Sequence, residues 1–193
     1  MGEIDILIES LHPAGLGEQD PADLLPETKA SAPVTNLGDS WLLDHHRVLC
    51  GNSLDESSFR MLLGGRRATM VFADPPYNVP IDGHATGLGV VRHRDFAMGA
   101  GEMTETEFTG FLTQSFGLLA RHSADGSIHF ICMDWRHMAE LQAAGNQVYS
   151  ELKNLCVWVK DNAGMGTFYR SRHELIFAFK AGRSTHRNYF SLH

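Results

Sequence analysis

The chain has 193 residues, 43% of them hydrophobic, and a formal net charge of −7, which suits one domain with a real core and argues at first against a polyanionic partner. No apolar run approaches the roughly 18 residues of a membrane span, and no signal peptide is evident, so no membrane partner is expected. Cys50, Cys132 and Cys156 lie in apolar, strand-like runs without paired spacing, and the eleven histidines show no metal-ligand spacing; buried thiols in a reducing cytoplasm and no metal site are expected.

In chain order, residues 1–40 hold eight acids and one lysine, enough to account for the whole charge excess. Their Pro, Ala, Glu and Asp content reads as a linker or tail. Residues 41–193 then form the folded part. Trp41 to Cys50 predicts a strand or a strand pair. Gly51-Asn52-Ser53 opens a helix to about Leu63, with Asn52 or Ser53 as N-cap and Gly64-Gly65 as its stop. Ala68 to Phe72 carries no charge and reads as a buried parallel strand. Pro75 and Pro76 cannot continue a ladder, so the strand stops there and Asp74 and Tyr77 fall at its carboxyl end, where α/β sheets bind ligands.

Residues 79–103 are long, rich in glycine and without period, which suits a lid. Thr104 to Glu107 is a capping box, and Phe108, Phe111, Leu112, Phe116 and Leu119 share the core face of the helix it starts. Ser127 to Met133 reads as a buried strand, with a helix from Asp134 to about Ala144. Asp134 is either that helix's N-cap or a border of the ligand pocket. Leu155 to Val159 and Leu175 to Phe179 predict an antiparallel strand pair around a polar, aromatic and basic stretch. Residues 160–193 carry six Lys or Arg against two acids, either a phosphate-contacting surface or a solvated hairpin.

Asp-Pro-Pro-Tyr suits one chemistry. The lone pair of an exocyclic amine on adenine or cytosine is delocalised into the ring. A carboxylate (Asp74) and a backbone carbonyl (Pro75) that accept its hydrogens free that lone pair for an electrophilic methyl. Tyr77 supplies a face on which an extruded base stacks, worth roughly 1–3 kcal/mol. No Pro-Cys nucleophile is present, and this reaction needs none.

Asp74-Pro-Pro-Tyr77-Asn78, Trp158-Val-Lys160, and Gly164-Met-Gly166 through Tyr169-Arg170-Ser-Arg172-His173-Glu174 together resemble the S-adenosylmethionine-dependent DNA amino-methyltransferases with the catalytic motif ahead of the cofactor motif. Trp41-Leu-Leu and His46 to Asp55 extend the likeness to the methylase half of prophage-type proteins that join a ParB-like domain to a DNA methylase. The resemblance covers about residues 40–193. It implies a partial Rossmann-like α/β fold with a mixed sheet and an antiparallel C-terminal strand pair. The implied activity is methyl transfer to an amino group of a flipped base in double-stranded DNA. Adenine N6 is favoured by Asp before Pro-Pro-Tyr, with cytosine N4, or a DNA-binding remnant without catalysis, as alternatives. The implied catalytic residues are Asp74, Pro75, Pro76 and Tyr77, and Asn52, Ser53 and Asp74 would hold the cofactor. Asn78, Lys160, Tyr169, Arg170, Arg172 and His173 would meet DNA. Asn52 stands where many relatives have Asp, and helix capping is its other reading. The family's Phe-x-Gly-x-Gly cofactor motif is not found downstream, so the resemblance also implies a missing C-terminal half, or its supply by another chain such as a second copy. The first three strands of a seven-stranded sheet are then expected to be absent.

Overall fold

The computed structural model describes residues 34–79, 98–160, 169 and 171–186. The chain divides between Asn36 and Leu37, and every element named here belongs to the second unit, Leu37–His193. It opens with a hairpin, β1 (Ser40–Leu43) and β2 (His46–Leu49), paired antiparallel. The strand pair expected over Trp41 to Cys50 is therefore present. Trp41, Leu42, Leu43 and Val48 remain exposed.

Helix α1 (Glu56–Leu63) begins two or three residues later than an N-cap at Ser53 or Asn52 implies. Its N-cap is Asp55, whose side chain accepts from the Ser57 amide at 2.9 Å. Asn52 makes a turn of its own, its Oδ1 accepting from the Leu54 amide at 3.0 Å. The carboxylate wins the cap because it also complements the positive helix start. Gly64, left-handed at φ 56°, ends the helix as expected.

Strands β3 (Ala68–Ala73), β4 (Ser123–Met133), β5 (Glu151–Val159) and β6 (His173–Lys180) form one mixed sheet in the order β3-β4-β6-β5. β3 runs parallel to β4, and β6 runs antiparallel to both β4 and β5. The crossover between β3 and β4 is α2 (Glu105–Arg121), which starts at the expected capping box: Thr104 and Glu107 exchange bonds in both directions. Asp134 then caps a 3₁₀ turn, Trp135–His137, through the amides of Arg136 and His137, and α3 (Met138–Val148) follows. Asp134 thus caps the turn that leads into α3, whose own N-cap position is His137.

One face of the sheet carries the core. Phe108, Leu112 and Phe116 of α2 and Leu141 and Ala144 of α3 pack on Ile131, Met133, Leu175, Phe177 and Phe179. Each large apolar side chain buried there is worth roughly 1.5–3 kcal/mol. Helix α3 comes so close that a Cβ on Gly145 would run into the Phe179 ring.

The opposite face is not covered by any helix among the described residues. β3 was expected to be buried, yet Met70 and Phe72 are 58% and 57% exposed. β3 is an outer strand there, and alternation turns these two side chains away from the helices. Cys132 is buried as expected, while Cys50 and Cys156 are exposed. Those two lie beside the uncovered hairpin and on the outer strand β5, where apolar neighbours in sequence do not create a covering layer.

Candidate functional site

Alternation from Phe72 carries Asp74 to the helix-free face at the carboxyl end of β3. Across the sheet, Phe72 registers with Phe130, and Cys132 with Ile176. Glu174 lies two residues from Ile176 and therefore on that same face. Lys160 follows β5 and is a diagonal neighbour of Glu174, which registers with Trp158. The two side chains form an ion pair, as that geometry favours.

Tyr77 ties these elements together. Its hydroxyl donates to Asp74 Oδ1 at 2.6 Å, with Glu174 Oε2 at 3.3 Å as a second acceptor. One phenolic proton serves one acceptor at a time, and the shorter distance favours Asp74. Burial of the ring raises the phenol's pKa far above its ordinary value, helped by the Asp74 hydrogen bond and the charges of Asp74 and Glu174. Tyr77 is thus a protonated donor pinned at its tip. Burial, then the same two carboxylates, pushes the Cys132 thiol up to about 11, so it offers no thiolate nucleophile. Asp74 is exposed, and its Oδ2 has no hydrogen bond among the described residues.

Asn78 fixes the loop from the other side. It sits at φ 53°, a conformation asparagine tolerates better than most residues. The sequence suggested a DNA contact; the side chain is instead 7% exposed and spent within the protein. Its Nδ2 donates to the Met103 carbonyl at 2.8 Å, and its Oδ1 accepts from the amides of Gly101 and Met103 at 3.1 and 3.2 Å. That segment is itself ordered by Glu102, whose carboxylate accepts from the amides of Gly99 and Ala100. Gly99 lies against the Pro76 ring, where a Cβ would approach to 3.0 Å.

The other sequence-derived residues are scattered. Lys160 joins the cluster through Glu174, and its backbone N–H donates to the Arg172 carbonyl at 2.6 Å. Arg172 Nε donates back to the Lys160 carbonyl at 3.3 Å. Tyr169 and His173 are exposed, and Arg170 lies outside the described residues, as do most of the expected lid and the Gly164-Met-Gly166 segment. Asn52 and Ser53 are exposed beyond β2, and no described hydrogen bond joins either to Asp74 or Tyr77. The donor set has suitable chemistry for a polar, amino-acid-bearing cofactor: a carboxylate, a carboxamide and a hydroxyl. No hydrogen bond among the described residues joins Asn52 or Ser53 to Asp74.

Glu174 is the residue that the sequence undervalued. It entered only as the last residue of the block that ends at His173-Glu174, without a role in the site, and its place depends on a register that sets it beside Tyr77. Among the described residues no group of His, Cys, Asp and Glu is arranged to hold a metal ion, and no helix is long and apolar enough to cross a membrane.

A parallel strand that ends in Asp-Pro-Pro-Tyr, with an acceptor-rich cluster on the open sheet face, defines a protein of mixed α/β class. The profile of the N6/N4 DNA methylase family matches residues 68–192, and the chain belongs to that family. A search among curated proteins finds no match. Among solved structures, the chain is similar to the "crystal structure of M1.HpyAVI-SAM complex", with 12% identity and a TM-score of 0.40 over 67% of this chain. It spans about half (49%) of that chain's length.

Proposed function

We propose that residues 41–193 are the catalytic part of a DNA amino-methyltransferase, with residues 1–40 as a tail, and that adenine N6 is the acceptor. The observation that carries this reading is the pinned Asp74–Tyr77 pair, in which Asp74 Oδ2 has no hydrogen bond among the described residues. A target base is extruded from the duplex at a cost of a few kcal/mol and stacks on the Tyr77 ring. Tyr77 cannot swing away, because its hydroxyl is held by Asp74. Asp74 Oδ2 and the Pro75 carbonyl accept the two amine hydrogens and turn the nitrogen lone pair outward. Asp74 is also placed to take the proton the amine sheds as its new N–C bond forms.

S-adenosylmethionine, the methyl donor of the family it resembles, supplies an electrophilic methyl on sulfur. Asn52, Ser53 and Asp74 are the residues proposed to hold its polar parts. Lys160, Tyr169, Arg170, Arg172 and His173 are proposed to face the DNA backbone, while Asn78 acts as a brace for the catalytic loop.

The test is transfer of a labelled methyl from S-adenosylmethionine to duplex DNA, followed by separation of the nucleosides. The expected product is N6-methyladenine, with Asp74→Ala abolishing it in a protein of unchanged fold. Label in cytosine would replace the adenine assignment. Equal transfer by wild type and Asp74→Ala would overturn the mechanism.

A further inference from the structure

At the other end of β3 lies a groove that the methyl-transfer reading does not use. Arg67 precedes the strand and Asp74 follows it, so the two sites are about 20 Å apart. The groove has a volume of about 440 Å³, and its charged lining is Arg60, Arg66, Arg67 and Arg121 with Glu56. The Phe59 ring stacks on His122 in its wall, with centroids 5.2 Å apart.

Two features could neutralise these arginines without any ligand. Glu56 takes Arg60 Nη2 at 2.9 Å and Arg121 Nη1 at 3.3 Å. The carboxyl ends of α1 and α2 also point here, each worth about half a negative charge. Four guanidinium charges against one carboxylate and two helix ends leave about two positive charges. The guanidinium forks are mostly unspent as well. Among the described residues, Arg67 uses only Nη1, on the carbonyls of Arg121 and Ser123, and Arg66 uses only Nε, on the Leu63 carbonyl. An occupant must therefore be anionic and rich in acceptor oxygens. His122 adds a further mark: its Nε2 is buried without a hydrogen-bond partner, 3.8 Å from Glu56 Oε1. An anion that draws Arg60 and Arg121 away would free Glu56 to satisfy it.

We propose that this groove is a binding site for a phosphate group, whether a free phosphate or the phosphodiester of a nucleic-acid backbone. Arginine forks match such oxygens in geometry as well as charge.

The experiment is an NMR titration of the folded chain with inorganic phosphate at constant ionic strength, following the arginine Nε–H and His122 ring resonances. A competition arm adds short duplex DNA. Arg66→Gln and Arg121→Gln are compared with Lys153→Gln, which removes a charge on β5. Arg67 is left intact because it ties Arg121 to Ser123. Saturable shifts at the groove, with affinity weakened about tenfold by Arg66→Gln or Arg121→Gln and unchanged by Lys153→Gln, support the site. Displacement of phosphate by duplex then assigns it to backbone, and its absence to a free phosphate. Shifts that scale with salt alone, or that survive Arg66→Gln, overturn it. Arg66→Gln decides the matter if Arg121→Gln disturbs α2. None of these readouts depends on methyl transfer.

Discussion

Acidification should weaken this fold through a single buried imidazole. His129 on β4 is wholly buried, between Ser127 Oγ at 3.1 Å on Nε2 and the Tyr149 hydroxyl at 3.0 Å on Nδ1. Tyr149 in turn stacks on Phe179 at 4.9 Å, so no carboxylate among these neighbours is present to pair with an imidazolium. Burial drives the pKa of His129 from its ordinary 6.5 down to about 4. Because the folded value is the lower one, the unfolded chain binds more protons between the two. Stability is therefore complete above about pH 6.5, falls as pH drops through the window, and loses nothing further from this group below about pH 4. The full gap is worth about 3 kcal/mol, and the drop from about pH 7 to about pH 4.5 is about 2 kcal/mol. Urea unfolding across that range, wild type against His129→Gln, measures it. Gln keeps a donor and an acceptor in place but does not titrate, so the variant should be less stable at neutral pH and flatter with pH. Parallel pH profiles for the two proteins would refute the reasoning.

Three further outcomes follow from contacts already described. Gly145→Ala should cost about 1–3 kcal/mol in urea unfolding, because its Cβ would enter the space of Phe179, itself 1% exposed and stacked on Tyr149; a change within error would mean α3 shifts freely. Asn78→Gly keeps the positive φ available and deletes only the side-chain bracket, so the amides of Gly101 and Met103 should exchange with solvent at least about tenfold faster, and unchanged protection would show the loop is held by something else. In double-mutant cycles, Tyr77→Phe with Asp74→Asn should give a coupling of about 1.5 kcal/mol, larger than Tyr77→Phe with Glu174→Gln, since the first bond is the shorter by 0.7 Å. The reverse ranking would make Glu174 the main anchor of the phenol.

What sequence revealed and what it hid divide along a physical line. The Thr104 capping box, the Gly64 stop and the halt of β3 at two prolines are decided by a few neighbouring residues, and all three stand in the structure. The burial of β3 was not decided locally. Met70 and Phe72 are as apolar as Ile131, yet they are exposed because no helix among the described residues covers their side. The inward place of Asn78 was hidden for a related reason. Beside Asp-Pro-Pro-Tyr it looks like part of a binding surface, and only the return of residues 101–103 turns it inward.

The site therefore depends on pairings distant in sequence. Asp74 comes from β3, its phenolic partner from the following loop, and Glu174 from a strand 97 residues beyond Tyr77. Side chains alternate along β6, so a one-residue slip of β6 against β4 would send Glu174 to the helix side and replace it with His173 or Leu175. Phe177 and Phe179 prevent that slip, because their burial under α2 and α3 would be lost with it. The core on one face of the sheet thus sets the register that assembles the acceptor cluster on the other. A substitution such as Phe177→Ala would then loosen Tyr77 without touching it, by weakening the constraint that keeps Glu174 on the open face.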